Sequence, residues 1–133
     1  SPVKVQTVYD ALAAKEDNKV TDQVDSAVLS SLDQPAGSTQ AGDATARSAY
    51  LPKGGKVATC MLAGPKNSTF ASMVIAEDLA PGSILCPITS EDQSKPWMQP
   101  VPTRTSQLEY GAWLIITPSE EGFKVTGLGH RSS

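Results

Sequence analysis

The sequence is poor in the residues from which catalytic and metal sites are usually built. It contains one histidine, His130, and two cysteines, Cys60 and Cys86, among 133 residues. A histidine base must lie within hydrogen-bond reach of a nucleophile and be oriented by a third group, and His130 stands near the end of the given sequence, a poor position for that arrangement. With no second histidine and no closely spaced cysteine pair, we predict no metal site, no cofactor and no enzymatic activity.

Clusters of basic residues and long apolar stretches are missing as well. No apolar run approaches the roughly 18 residues that suggest a membrane-spanning helix. The net charge is −3, and the acidic excess lies in residues 1–49, which hold four bases and seven acids, whereas residues 50–133 hold seven of each. Nucleic-acid binding needs clustered Lys and Arg that neutralise phosphates. We therefore expect neither a membrane nor a nucleic acid as a partner.

Both cysteines lie in apolar, strand-like stretches, Val57–Leu62 and Ser83–Ile88. A thiol in such surroundings usually behaves as a small hydrophobe. We therefore expect two buried free thiols and an intracellular origin. The alternative is a disulfide, which requires the two strands to be neighbours with suitable geometry.

The composition divides the chain near residue 49, although its length suits about one domain. Residues 33–49 contain no Val, Ile, Leu, Met, Phe, Trp or Tyr. Such a segment cannot bury enough apolar area to offset the entropy lost on ordering, so we predict a linker there. Residues 1–49 are thus predicted to form a flexible N-terminal arm, and residues 50–133 a compact β domain.

Two stretches of the arm, residues 7–15 and 21–33, have the periodicity of amphipathic helices, and each begins at a threonine, a preferred N-cap residue. In the second stretch Val24, Val28 and Leu32 recur on one helix face. Helices shorter than about 12 residues are marginal alone in water. These helices therefore need a partner surface, and we expect Val24, Val28 and Leu32 to be partner-binding anchors.

Beyond residue 50 the apolar period changes to two, which is typical of β-strands. Five short apolar or β-branched segments are separated by Gly and Pro, and they predict a barrel or sandwich. A hairpin is predicted between the last two segments, with Gly122 supplying a positive φ in the turn. The segments are Lys56–Leu62, Thr69–Ile75, Ser83–Ile88, Glu109–Thr117 and Phe123–Leu128.

Residues 89–107 hold three prolines around Trp97 and Met98, which favours an extended excursion over a central strand. Tryptophan is often an anchor at protein interfaces. We therefore take Trp97 and Met98 as candidate partner contacts. The alternative is that Trp97 covers the core of its own domain.

The segment Ser72–Leu85 couples a strand to a tight turn and a second strand, with Pro81 and Gly82 suited to the two central positions of a type II turn. Its order Ala-x-Asp-Leu-x-x-Gly-x-x-Leu resembles the β-clip domains related to antifreeze-like and sialic-acid-synthase C-terminal modules. The resemblance covers these residues only. It implies a mostly-β, β-clip-like barrel or sandwich, preceded here by an arm with one or two short helices.

The β-clip group includes the head decoration proteins of tailed bacteriophages, to which the whole layout is similar: a small chain, a Gly/Ala/Ser/Thr-rich N-terminal segment, then a compact proline-rich β body. The resemblance implies a virion structural protein, a capsid decoration subunit that binds and stabilises a capsid lattice through its arm and its body. Its partners would be capsid subunits and further copies of itself, with a trimer as one candidate state. It would be made in the host cytoplasm and located on the capsid surface.

A second hypothesis belongs to another functional class. In it the chain is a β-clip accessory module that binds a partner enzyme, or an extracytoplasmic chaperone. Such a module would present a groove with a defined ligand. A groove beside residues 78–84 would be the expected feature.

Overall fold

The computed structural model describes residues 2–36, 43–62, 83–89, 112–120 and 122–130. Two short 3₁₀ turns, Asp17–Lys19 and Thr21–Gln23, lie between the first two helices. The described ranges form these helices and strands: α1 (Pro2–Ala13), α2 (Ser26–Ser31), α3 (Ala46–Tyr50), β1 (Lys56–Val57), β2 (Met61–Leu62), β3 (Ile84–Thr89), β4 (Ala112–Ser119) and β5 (Gly122–His130).

The protein is small and mostly β, with a curled antiparallel sheet and a few short helices, which confirms the predicted fold class at that level. The predicted strand Thr69–Ile75, the Pro81-Gly82 turn and the excursion at 90–107 lie outside the described residues. None of the described helices is long and apolar enough to cross a membrane.

The strands of the sheet are ordered β1-β3-β4-β5, and β2 pairs with β3 on the same side as β1. The predicted hairpin between β4 and β5 is confirmed. Pairing continues to Ser119 and Gly122, so the turn is tighter than expected, and Gly122 has a φ of +105°. That conformation strongly favours glycine because a side chain would clash with the backbone.

One face of the sheet packs against the helices, so that residues on both sides of position 49 share a single core. In α1 the buried residues recur at spacings of three and four, which gives the helix one apolar face. The cluster includes, from the helices and turns, Val5, Val8, Tyr9, Leu12, Val20, Val24, Val28, Leu32, Ala49 and Tyr50, and, from the strands, Cys86, Ile88, Ala112, Leu114, Ile116, Phe123 and Val125.

The helices differ in extent from the predictions. α1 begins at Pro2 instead of residue 7, and proline is well tolerated in a first helical turn. The predicted helix at 21–33 is reduced to α2, because Asp25 takes the N-cap position and the preceding residues form a 3₁₀ turn.

The prediction that residues 33–49 lack structure is wrong for their last part. Here the chain forms α3, capped by the Thr45 hydroxyl, which accepts a hydrogen bond from the Ser48 N–H at 3.2 Å. Backbone N–H groups of Ala46 and Arg47 also donate to the carbonyls of Gln34 and Leu32, at 2.9 Å each. These polar contacts order a segment that has no apolar side chain larger than alanine or proline.

The predicted strand Lys56–Leu62 is split into β1 and β2 by an irregularity opposite Pro87. Val57 pairs with Ile88 and Met61 with Leu85, so three residues of this strand face two of β3. The Pro87 carbonyl accepts from the Ala58 N–H at 2.8 Å. In an antiparallel ladder the same residue would donate its own N–H back, but proline has none. The ladder is therefore interrupted at this point.

A disulfide joins the two strands at the same interruption. Cys60 and Cys86, 26 residues apart in sequence, are bonded with their Cα atoms 4.1 Å apart. The expectation of two free thiols is wrong, because the strands are direct neighbours and the pair lies across the break. The expectation of an intracellular origin rested on free thiols, so the disulfide removes its support.

The outer edge of β1 is covered by one side chain of α1. The Gln6 amide donates to the Gly55 carbonyl at 3.1 Å and accepts from the Val57 N–H at 2.7 Å. These are the two contacts that a neighbouring strand would make. The side chain thus takes the place of a further strand at this edge.

Two glycines of β5 make room for large side chains of β4 on the sheet face opposite the helices. Gly129 pairs with Trp113 and Gly127 with Ile115. A Cβ at Gly129 would overlap the indole ring, whereas one at Gly127 would come no nearer than 3.3 Å to Ile115 Cδ1. Trp113 is buried on this face, so the indole depends on the missing side chain of Gly129.

We expect the Cys60→Ala/Cys86→Ala double variant to unfold with a free energy lower by about 2–4 kcal/mol, because it loses a cross-link between strands. Adding Pro87→Val to that variant should restore roughly 0.5–1.5 kcal/mol, since valine supplies the missing N–H donor. Chemical denaturation of the three proteins, with reduced wild type as control, measures both effects. A triple variant no more stable than the double variant would contradict our explanation of the strand break.

We also expect Gly129→Ala to lower the unfolding free energy by about 1–3 kcal/mol or more through overpacking against Trp113. The matched substitution Gly127→Ala should lie within about 1 kcal/mol of wild type, because Ile115 Cδ1, the end of a flexible side chain, needs to move by only a few tenths of an ångström and alanine restricts the unfolded chain. Chemical denaturation followed by tryptophan fluorescence compares them. Equal stability of the two variants would show that the indole does not depend on Gly129.

Candidate functional site

An open groove of about 420 Å³ lies between β5 and the helices α2 and α3. None of the described side chains that line it is an acid, a basic residue or a histidine. Ser31, Gln34 and Thr126 supply polar groups, and the rest of the lining is apolar or small apart from the Tyr50 hydroxyl. The groove is lined by Ala27, Val28, Ser31, Gln34, Pro35, Ala36, Ala46, Tyr50, Thr126, Gly127 and Leu128.

The β5 side of the groove is the outer edge of the sheet. At Val125 this edge has a partner within the chain, because Val24 forms a parallel bridge with it and the Asp25 N–H donates to the Val125 carbonyl at 2.8 Å. Asp25 then caps α2, and the chain turns away. The described residues form no further bridge to the edge at residues 126–128, which line the groove.

A β-bulge lies where the groove begins. The register between β4 and β5 shifts between Ile115 and Ile116, which pair with Gly127 and Val125, so Thr126 is an extra residue in β5. Bulges re-aim side chains and increase local twist, and they are common next to functional sites. Here the bulge lies where the contact with Val24 ends and the open part of the edge starts.

The helical wall of the groove is held by the buried Arg47 of α3. Its Nη1 and Nη2 donate to Asp17 Oδ1 and Oδ2 at 2.7 and 2.9 Å, and Nη1 also donates to the Leu12 carbonyl at 2.7 Å. Its Nε donates to Asp33 Oδ1 at 3.3 Å. The side chain, only 5% exposed, therefore connects the end of α1, the following turn and the segment after α2.

The charges of this cluster support one another. Hydrogen bonding to Arg47 lowers the pKa of the Asp17 carboxyl, outweighing the opposite effect of partial burial. The same hydrogen bond raises the pKa of Arg47, which is in any case charged at every relevant pH. Because a buried guanidinium must be paired and hydrogen-bonded, the cluster fixes the position of α3. Ala46 and Tyr50 on that helix line the groove.

Arg47 was not predicted to have a role, although a signal for one was present in the sequence. Arg47 is the one basic residue between Lys19 and Lys53, within the acidic part of the chain. A lone base among many acids is a candidate for a buried ion pair. Sequence alone, however, does not show which acids it meets.

The predicted partner anchors of the N-terminal segment are buried, and they differ in their position relative to the groove. Val24, Val28 and Leu32 are 1%, 6% and 0% exposed, all within the core of their own chain. Of the three, Val28 lines the groove, while Val24 bridges β5 next to it. Trp97 and Met98 lie outside the described residues.

The described part of the chain contains no group of three His, Cys, Asp or Glu side chains placed to hold a metal ion. The phenol of Tyr9, whose pKa is raised by burial and by the charge of Asp10, donates to the Pro52 carbonyl at 2.5 Å and serves packing. The chain matches no protein-family model, no curated protein and no solved structure.

We expect Asp17→Asn to lower stability at neutral pH by about 1–3 kcal/mol, the range for a hydrogen bond to a charged group or a partner left unsatisfied. Because the folded state lowers the pKa of Asp17, its contribution is present above the ordinary pKa of about 4 and is lost as the pH falls through the folded value.

The unfolding free energies of the variant and of wild type should therefore converge in acid. Denaturation curves at a series of pH values measure this. Asp22→Asn, at an exposed position on the neighbouring turn, is the control. A stability difference between wild type and Asp17→Asn that does not change with pH would contradict the role given to the ion pair.

Proposed function

We propose that this protein is a capsid decoration subunit, a non-enzymatic virion structural protein that stabilises a capsid lattice by contact. The observation that carries the proposal is the uncharged groove beside the open part of the β5 edge, a surface suited to contact with another protein. Its wall is held in place by a buried ion-pair cluster. The whole layout, which resembles that of phage head decoration proteins, supports the same function, and the β-clip resemblance of Ser72–Leu85 adds the β-clip fold to the proposal.

The contact we propose is made by the body of the protein. Val24, Val28 and Leu32 serve the core, and exposing them would cost about 1.5–3 kcal/mol for each fully buried side chain. A free helical arm is thus disfavoured, and the groove takes over the role first given to the arm. Self-association, with a trimer as one candidate state, and a position on the capsid surface belong to the same proposal.

The disulfide favours a second candidate, an extracytoplasmic binding or chaperone module. Disulfides persist in oxidising compartments and are rare in the cytosol, where decoration subunits would be made. Thiol titration of the protein isolated from its native source under denaturing conditions separates the candidates. A bonded pair formed before cell lysis supports the second, and free thiols until virion release support the first.

To test the first candidate, purified protein is mixed with shells assembled from the major capsid protein of the phage that encodes it. We expect saturable co-sedimentation and a higher temperature of shell disruption, because a ligand that binds only the assembled state stabilises it. Ala27→Trp, which fills the groove, should weaken binding by about tenfold or more.

The control is Ser26→Trp, at an exposed residue of the same helix outside the groove lining, which should bind like wild type. Light scattering of the free protein reports its oligomeric state. A monomer that fails to bind the shells would remove the support for a decoration function.

A further inference from the structure

We propose that the groove binds an extended, uncharged peptide segment of a partner protein, which adds as a strand to the outer edge of β5. This inference rests on the proposed contact function and specifies its chemistry. It concerns the part of the edge at residues 126–128.

This edge already accepts an isolated bridge residue from its own chain. Val24 lies parallel to Val125, and the Asp25 N–H bonds to its carbonyl. The chain then leaves the edge for α2, and no described residue continues the bridge past Val125. An open strand edge presents N–H and C=O groups that another extended segment can pair with. A partner segment would continue the pairing where Val24 and Asp25 end it.

The shape of the surface suits a thin occupant. The groove has α2 and α3 on one side and the edge of β5 on the other. A second copy would bring its own α2 and α3 together with its β5 edge, and so is bulkier than a single strand. A thin extended segment can enter. The volume of about 420 Å³ is also within the range of sites that enclose short ligands.

The chemistry of the lining favours an uncharged occupant. Because no described residue of the lining is charged, a buried charge on the occupant would remain unpaired there, which is unfavourable. Small apolar side chains suit Ala27, Val28 and Leu128, and hydroxyl or amide groups suit Ser31 and Gln34. The occupant is therefore an extended segment of small, uncharged residues. Because the Arg47 cluster holds one wall in place, little conformational freedom is lost there on binding.

The probe for the test is a displayed library of random linear peptides of about eight residues, slightly longer than an average strand. Selection on the wild-type chain should enrich uncharged sequences. Their affinity for Ala27→Trp should fall by about tenfold or more, and their affinity for Ser26→Trp should equal that for wild type. Ser31→Trp serves as a second groove-filling variant, and thermal unfolding confirms that each variant is folded.

Strand addition is tested on a synthetic copy of the best peptide. Methylating alternate amide nitrogens should abolish binding in one of the two alternating patterns, because only one set of N–H groups faces β5. Hydrogen exchange should show new protection of amides within residues 126–128. Failure to enrich peptides, equal binding to the groove-filling variants, or a bound peptide that is helical would overturn the inference.

The outcomes also separate this inference from the proposed function. Shell binding that is unaffected by Ala27→Trp would retain capsid decoration and overturn the groove as its contact. Peptide binding without any shell binding would retain the groove as a strand-accepting site and remove the capsid as its partner.

Discussion

The arrangement of the helices depends on how the buried charge of Arg47 is satisfied. Removing a guanidinium from water is costly unless nearly every donor finds a partner. Asp17, Asp33 and the Leu12 carbonyl provide those partners from three separate segments. None of the segments can shift alone without leaving a donor unpaired. The ion-pair cluster thereby holds together short helices that would be marginal in isolation, and it fixes the wall of the groove.

Features that depend on local pattern were predictable from the sequence. β3 and the β4–β5 hairpin with Gly122 follow from apolar alternation and turn residues, and the buried face of α1 follows from helical spacing. The narrow apolar stripes near the N-terminus correctly indicated a missing partner surface. That surface is the sheet of the same chain, which a local pattern cannot identify because the contacts span most of the sequence.

Features that depend on polar or covalent contacts were not predictable in the same way. Residues 33–49 were expected to be structureless because they lack large apolar side chains, yet α3 is ordered by a cap, backbone hydrogen bonds and Arg47. The strand break at Pro87 and the disulfide across it required knowledge of which strands are neighbours. The groove is formed by three separate elements, α2, α3 and β5. Of its lining residues, Val28 alone had been predicted as a contact residue.

The two edges of the sheet, at β1 and at β5, differ in a way that limits how the protein can associate. At the β1 edge the Gln6 amide occupies the hydrogen-bonding groups of Gly55 and Val57, while at the β5 edge no described residue pairs with the strand past Val125. Open-ended head-to-tail strand pairing needs two free strand edges in every subunit, one for each neighbour. With the β1 edge blocked at Gly55 and Val57, strand pairing through these two edges ends after one addition. The sheet can receive a guest strand without seeding a fibre.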